Sequence, residues 1–437
     1  MGKEVSMDTL VNLAKRRGFI FAGSEIYGGL ANSWDYGPLG VELKNNIKKA
    51  WWKKFVQMRQ DVVGLDAAVI MNPKVWEASG HVATFHDPLV ECKYCHARFR
   101  EDKIDATKPC EACGDKSGFT EPKQFNLMFK THLGPSQESG TEVYLRPETA
   151  QAMFVDFAQV QASSRKKIPF GIAQIGRAFR NEITPGNYIF RTREFEQMEI
   201  EYFIKESDWK EQFENWLKLM HEWLVDCGIT LEKIHDLEVL KEDRAHYSSR
   251  TVDIEFDFPF GRGELYGLAY RSDFDLKNHQ DSSGKDLSYT DPVTNEKYIP
   301  HVIEPTFGVD RTILAVLVSA YKEEEVDGEM RTVLSLPAHL APYQVAVLPL
   351  MKKEELTEEA RKITEELSNY MAVEYDETQS IGKRYRRQDE IGTPYCVTID
   401  YDSLEDNAVT VRDRDTMKQE RIAITELKKY LVEKISL

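Results

Sequence analysis

No run of the 437-residue chain approaches the roughly twenty consecutive apolar residues that a membrane-spanning helix needs; TILAVLVSA, residues 312–320, is among the longest. No charged-then-apolar leader opens it, so no membrane partner and a cytoplasmic setting are expected. Positive charge is in deficit: 57 Lys and Arg stand against 73 Asp and Glu, a net −16. Such a surface does not coat nucleic acid indiscriminately, because phosphate-driven affinity needs basic surface, and a nucleic-acid partner would have to meet a local basic patch. There are no internal repeats and no low-complexity tract. The ten histidines offer no evident base, and HVATFH, residues 81–86, reads as local packing rather than a metal site. What remains is a globular composition, 41% hydrophobic and 30% charged, in a chain too long for one ordinary core; two or three domains are expected.

Cysteine is scarce, but four of the six are paired in sequence: CKYC (Cys92, Cys95) and CEAC (Cys110, Cys113), with 14 residues between the pairs. Two such knuckles match a zinc ribbon, with four thiolates closing a tetrahedral, structural site that has no open position for catalysis. Gly114 suits the second knuckle. Two disulfides or four reduced thiols are the alternatives, and the missing leader weighs against the first. Residues 86–122, rich in Lys, Asp, Gly and Pro, read as a small insert. Cys227 and Cys396 have no sequence partner and read as core.

Apolar periodicity outlines the rest. From Pro38, Leu43, Ile47, Trp51 and Phe55 recur every four residues, an amphipathic helix. Trp209, Phe213, Trp216, Met220 and Leu224 form the stripe of a second helix, with Gly228 its expected C-cap. TVDIEFDFPF and GELYGLAYRSDFDL read as strands, and GVDRTILAVLVSAY as a buried helix. A boundary falls at LSLPAHLAPY, residues 334–343. Beyond it, strands and helices alternate over about 100 residues, an α/β pattern. The reading is therefore α+β: residues 1–335 as one domain with its insert, and 336–437 as a smaller α/β domain.

The stretch FRNEITPGNYIFRTREFEQMEIEYF, residues 179–203, crowds three arginines and five glutamates around a Thr184–Asn187 turn signal. Alternation on the second strand puts Arg191, Arg193, Phe195, Gln197, Glu199 and Glu201 on one face; Arg180 and Glu182 share a face of the first. Arginines suit a polyphosphate, a phenyl ring suits a base, and carboxylates suit an ammonium group or Mg²⁺. A salt-bridged, exposed hairpin is the alternative.

These residues resemble a known family. FRNE with RTREFEQME, EPTFGVDR and GPLGVELKNNI are similar to motifs two, three and one of class II aminoacyl-tRNA synthetases. YLRPETAQ, AQIGRAFRNEITPGN and RTREFEQMEIEYF resemble the homodimeric glycyl-tRNA synthetases, and the likeness runs from about Arg17 to the C-terminus. The resemblance implies an antiparallel catalytic sheet with helices, a zinc-ribbon-like insert and a C-terminal α/β anticodon-binding domain. It also implies ATP with Mg²⁺, a structural Zn²⁺, glycine and tRNA as partners, and a homodimer.

By the same resemblance Arg180 would hold the α-phosphate and Arg311 the γ-phosphate. Phe195 would stack on adenine, Glu182 would meet its amino group, and Glu264 would lie near the nucleotide and Mg²⁺. Asn181, Phe190, Arg191, Arg193, Glu194, Leu265, Gly308 and Asp310 complete the implied ATP set. Glu148, Glu199 and Glu304 would surround the glycine ammonium and Arg271 would take its carboxylate, with Arg100 and Gln197 in the same set. Thr306 stands at the pocket wall where a serine is expected, and a bulkier wall tightens the pocket. The stretch between Cys95 and Cys110 is shorter than many members of this family carry.

Trp51 and Trp52 on the motif-one helix offer apolar area on two sides, as a dimer-interface helix would. In GKRYRRQDE, Lys383, Arg384, Arg386 and Arg387 around Tyr385 are the tRNA candidates, against a solvated helix face balanced by Asp389 and Glu390. Two rival readings are a catalytically inactive synthetase-like nucleic-acid-binding protein, which loss of the ATP arginines would mark, and a synthetase for another small amino acid.

Overall fold

The computed structural model describes residues 5–101, 104–135, 140–245, 247–326 and 328–435. Its centre is a seven-stranded sheet in the spatial order Ile234–Glu238, Arg250–Phe258, Gly261–Ser272, His301–Gly308, Glu194–Ile204, Phe170–Phe179, Val62–Gly64. All pairs are antiparallel except the last, which is parallel.

The period of two divides this sheet into a core face and a working face. Along Glu194–Ile204, Met198, Ile200, Tyr202 and Ile204 point into an aromatic core, while Gln197, Glu199 and Glu201 point the other way. Helices Pro38–Trp52, Trp209–Asp226 and Val309–Ala320 cover the core face. Trp51, Phe55 and Phe307 meet there with ring centroids 5.3–5.8 Å apart, and Trp216 and Trp223 each pack on Phe55 at 6.0 Å. Helix Trp209–Asp226 ends with Gly228 at φ 67, one residue beyond the cap Cys227.

Three expectations change. The strands Phe170–Phe179 and Glu194–Ile204 are joined by a loop of residues 180–193, not by a four-residue turn. Asn187 and Tyr188 both take positive φ there, and a second tight turn forms with a bridge between Gly186 and Arg191. Arg191 and Arg193 therefore lie on the loop and owe their aim to it, not to strand alternation. The strand that carries Arg271 stops at Ser272, whose φ of 53 turns the chain into the helix Phe274–Ser283. Finally, Trp51 and Trp52 are both occupied within the chain: Trp51 is fully buried, and the Trp52 ring fills the space that a side chain at Gly64 would need.

Residues 86–126 project as a three-stranded sheet of Arg98–Arg100, His86–Glu91 and Lys123–Asn126. The C-terminal part has its own five-stranded sheet, in the order Val373–Tyr375, Val345–Pro349, Tyr395–Ile399, Ala408–Asp413, Gln419–Ala423. The first three strands are parallel and the last two join antiparallel. Helices Glu354–Ser368 and Ile424–Ile435 pack on one face around Val347, Leu356, Val397 and Leu431, and Ile381–Ile391 packs on the other against Ala346, Leu348 and Cys396. No described helix is long and apolar enough to cross a membrane.

The hairpin Tyr321–Val326/Glu329–Leu334 ties this unit to the central body. Its Arg331, fully enclosed, donates to Asp389 at 2.8 Å and to the Arg414 carbonyl at 2.5 Å, and it also pairs with Glu324. Arg412 meets the same Asp389 at 2.9 Å. Arg16 and Arg17 reach Glu390 from the N-terminal helix. Asp389→Ala would take from the buried Arg331 and Arg412 the carboxylate they share, a loss of about 3–5 kcal/mol. Urea unfolding followed by circular dichroism should show the midpoint fall, and an unchanged midpoint would refute the role given to this ion network.

Candidate active site

The working face of the sheet forms a cleft of about 350 Å³. One end is cationic and aromatic, and the other is acidic. Both are built along the strand Glu194–Ile204, which contributes Phe195 to the first end and Glu199 to the second.

At the cationic end Arg180, just past the strand Phe170–Phe179, lies over the rings of Phe195 (5.3 Å) and Phe85 (5.5 Å) and donates to the Pro147 carbonyl at 3.0 Å. Arg311, in the first turn of helix Val309–Ala320, lies over the Phe190 ring at 4.5 Å and donates to the Glu264 carbonyl at 2.8 Å. It is also 3.1 Å from the Glu264 carboxylate. Arg191 and Glu182 approach to 4.0 Å, and Leu265 and Gly308 complete the lining. The Arg311 charge, working against burial, holds the Glu264 carboxyl below its ordinary range. Beside it, burial and then the Glu264 and Glu255 charges push Asp253 up to about 7. A Cβ at Gly267 would make ordinary contact with both, 3.8 Å from a Glu264 oxygen and 4.0 Å from an Asp253 oxygen, so the two carboxylates flank the same spot on the sheet.

Asn181, Arg193 and Glu194 fall outside this cleft and line an adjoining one, walled by residues 30–36, with Phe195 shared between the two. Arg193 donates there to the Ala31 carbonyl at 3.2 Å. Asp310, given to ATP by resemblance, reaches the margins of both clefts, but its carboxylate is engaged elsewhere. It accepts from the Tyr36 hydroxyl, from Lys44 at 3.3 Å and from the Glu196 amide at 2.9 Å. It therefore ties the motif-one region to the central strand.

At the acidic end the register sets Glu199 opposite Thr306. The Thr306 hydroxyl donates to Glu199 at 3.0 Å, and the Thr149 hydroxyl donates to the other carboxylate oxygen. Gln197, Glu148 and Glu304 share this wall. Glu148 accepts from Gln151 at 3.0 Å and lies 3.3 Å from His81 Nε2, whose Nδ1 is 2.8 Å from the Ser79 hydroxyl. Burial alone would raise Glu148; the His81 imidazole and the Arg271 charge overcome it and hold the carboxyl well below its usual range. Glu199 is raised, by burial and the Glu148 charge. Burial raises Glu304 well above the carboxylate range; Arg271 opposes the rise, and Glu199 and Glu148 add to it.

Two of the residues assigned to the amino acid lie elsewhere. Arg271 is 1% exposed, beneath the floor rather than in the wall, because its guanidinium is committed to Asp275 (2.7 and 2.9 Å) and Glu304 (2.8 Å) and stacks 3.7 Å from the Tyr247 ring. Arg100 sits on the insert sheet, paired with Asp87 at 2.9 Å, and does not line the cleft. Conversely, sequence reading passed over His81, Thr149, Tyr247, Asp253 and Asp275. Thr149 lay inside YLRPETAQ. Asp275 follows Arg271 by four residues, a signal only once the chain is known to turn helical there.

The cysteine sulfurs form a second cluster. Cys92 and Cys113 are 3.9 Å apart, Cys95 and Cys110 are 3.8 Å apart, and all four lie within 4.8 Å of one another as free thiols. A tetrahedron of sulfurs about 2.3 Å from a central ion has edges of about 3.8 Å, so these distances fit four-sulfur coordination and not disulfides.

The basic patch of the C-terminal unit is smaller than the sequence suggested. Arg384 is buried and donates to the carbonyls of Pro349 (2.6 Å), Leu350 (3.1 Å) and Asp376 (3.0 Å). Arg387 is held by Asp376 and by the Thr378 carbonyl at 2.7 Å. The Tyr385 hydroxyl is 2.6 Å from that of Thr398, and its ring lies under Arg412. Lys383 is exposed, and Arg386, half-buried, lies 4.0 Å from the Asp389 carboxylate.

Comparison with known proteins agrees with this geometry. Residues 129–320 match the core domain of class II tRNA synthetases (G, H, P, S and T), and residues 344–434 match an anticodon binding domain. Sheet, cleft and matches define the class: a class II aminoacyl-tRNA synthetase core joined to an anticodon-binding domain. The glycine–tRNA ligase of Caldanaerobacter subterraneus subsp. tengcongensis is 56% identical, covering 100% of both chains. Those of Clostridium acetobutylicum (56%, 100% of both) and Alkaliphilus metalliredigens (56%, 98% of both) are similar. The chain belongs to the glycine–tRNA ligase family. The first alignment runs over 462 positions, so that relative carries at least 25 residues that this chain lacks.

Proposed function

We propose that the chain joins glycine to the 3′ end of glycine tRNA in two steps, as an ATP-dependent, AMP-forming ligase. The observation that carries this is the pairing, on one strand, of an arginine-and-aromatic pocket with a carboxylate pocket four residues further on, about 13 Å away. In the first step a glycine carboxylate oxygen attacks the α-phosphorus of ATP and pyrophosphate leaves, giving glycyl-adenylate. In the second a ribose hydroxyl of the tRNA attacks the adenylate carbonyl and AMP leaves. The chain's part is positioning and charge neutralisation, with no covalent nucleophile.

Arg180 and Arg311 face phosphate, with the positive end of helix Val309–Ala320 behind Arg311. Phe195 stacks on the base, and Glu182 accepts from its amino group. Arg191, Phe190, Leu265 and Gly308 shape this end. Glu148, Glu199 and Glu304 surround the ammonium, and the Thr306 side chain closes the wall. A hydrogen fits there, whereas the methyl of alanine collides; exclusion by a wall discriminates where one methyl of added contact could not. Glu264 and Asp253, converging beside Arg311, are the carboxylates that would hold Mg²⁺, which neutralises phosphate charge when bound. The four cysteines would hold a structural Zn²⁺ that orders the insert. We assign residues 1–335 and 336–437 to catalytic and anticodon-binding domains and place the activity in the cytoplasm, where tRNA, glycine and ATP meet.

A homodimer fits the surface. Ile26 and Tyr27, 89% and 87% exposed, stand with exposed Leu30 in the segment before the motif-one helix, and Val41 of that helix is exposed too. An apolar group of this kind favours a covered face.

Glycine-dependent ATP–pyrophosphate exchange should be fast beside alanine and serine, and Arg311→Ala should slow it by about a hundredfold or more. Exchange driven equally by alanine would refute the glycine reading, and near-normal exchange in the variant would refute the role of Arg311. Light scattering and metal analysis on one purified, reduced sample should give two chains and two zinc ions per particle; a monomer removes the dimer, and a metal-free protein removes the zinc. Replacing Lys383 and Arg386 together by Ala should weaken tRNA binding and lower its salt slope by about one for each phosphate no longer neutralised, leaving glycine activation intact. Unchanged affinity and slope would place the tRNA-binding face elsewhere.

A further inference from the structure

The strand register that builds the acidic floor leaves one carboxyl without a partner. Glu199 pairs with Thr306 and Tyr202 with Ile303, so Glu201 stands directly opposite Glu304. Carboxylate oxygens of Glu199, Glu201 and Glu304 lie within 4.8 Å of one another. Glu201 is fully enclosed, and neither of its oxygens has a hydrogen-bond partner. Its neighbours are all served: Glu199 by two threonine hydroxyls, Glu304 by Arg271, Asp275 by Arg271 and Gln151.

Of the charged groups that act on Glu201 most strongly, Arg271 is the cation, and Glu304, Glu199 and Asp275 are anions. Arg271 is already shared between Asp275 and Glu304. Enclosed carboxylates at this spacing, with one shared guanidinium, cannot all be ionised, and the proton goes to the group that no donor stabilises.

We propose that Glu201 is the neutral acid in the free protein and that the ammonium group of the amino acid drives its proton out, so that the pocket exchanges one proton for one ammonium. The Glu201 O–H bond breaks, its electron pair stays on the carboxylate, and the proton leaves to solvent. The ammonium charge that enters replaces the proton charge that leaves, and the glycine carboxylate takes no part in this exchange. Burial and the facing Glu304 both push the Glu201 carboxyl well above its usual range, in the direction this exchange needs. Glu201 acts through Glu304, which faces the cleft, and is a positioning residue. The proposal rests on the glycine reading above.

The sign follows from linkage. Below the pKa of Glu201 in the free protein, binding must expel a proton, so the glycine KM falls about tenfold per pH unit as pH rises. Above that pKa the proton is already gone and KM is level. Glycine itself stays a zwitterion between about pH 6 and pH 8. Two histidines belong to the same network: His81 faces Glu148, and His279 lies 2.8 Å from Gln151.

The test is the glycine KM in pyrophosphate exchange at saturating ATP across that window, for the wild-type chain and for Glu201→Gln, a neutral isostere. The wild-type KM should fall about tenfold per unit. The variant should be level, and at pH 8 its KM should be no lower than the wild-type value at pH 6. A level wild-type profile overturns the proposal. So does a slope that survives in Glu201→Gln, which would belong to a histidine. Calorimetric binding of glycine to the wild-type protein in two buffers of different ionisation heat needs no variant: about one proton released per glycine supports the exchange, and none overturns it. Failure of glycine to drive exchange at any pH would sink the glycine reading and this proposal together; normal glycine exchange with a level profile sinks this proposal alone.

Discussion

The Arg271 guanidinium is the interaction on which the cleft depends. A floor of carboxyls stays dry only beside an enclosed cation, and Arg271 supplies it to Asp275 and Glu304 at once, with Tyr247 stacked on its face. The backbone makes this possible. Ser272 takes a left-handed conformation at the strand end, the chain turns helical, and Asp275 returns one turn later to face the arginine. Glu304 comes from the neighbouring strand through sheet register. Three elements therefore meet at one guanidinium, and the acidic end of the cleft is built over their meeting.

The other constraint is the two-sidedness of the sheet. The face that carries Gln197, Glu199 and Glu201 can be acidic because the opposite face is packed with Trp51, Phe55, Trp216 and Phe307. The helix Val309–Ala320 serves both sides: its buried face joins that core, while its first turn presents Arg311 to the cleft. Asp310 in the same turn binds the Tyr36 hydroxyl, Lys44 and the Glu196 amide, so the N-terminal helix region and the cleft cannot shift independently. In the C-terminal unit one carboxylate has the matching task. Asp389 joins Arg331 of the connecting hairpin to Arg412 of the second sheet and seats the helix Ile381–Ile391 on the body.

Arg384 and Arg387 show why charge in a sequence is a weak guide to a binding face. Both looked available in GKRYRRQDE, yet Arg384 turns inward to three carbonyls and Arg387 is taken by Asp376. Carbonyl groups at the ends of strands need donors wherever water is excluded, and a long side chain one helical turn away supplies them. Arg271 shows the same competition: it carries the charge that the resemblance asks for, and the buried Asp275 and Glu304 hold it. His81 was undervalued because its partner, Glu148, lies 67 residues away in sequence.

The sequence by itself determined the class of fold, the helices and strands with strong apolar period, the paired cysteine knuckles and the local motifs that bring Arg180, Phe195 and Glu199 into one cleft with Arg311. Those features are local: a period of two or four residues, a turn signal or a ligand spacing is complete within a short stretch of chain. Only the tertiary structure decided that Arg191 and Arg193 belong to a loop, that Trp52 closes on Gly64, that Arg271 lies under the floor, and that Glu201 faces Glu304 with no partner. Each of these depends on strand register, on a single left-handed residue or on competition between distant charges, and none of these is fixed until the whole chain has packed.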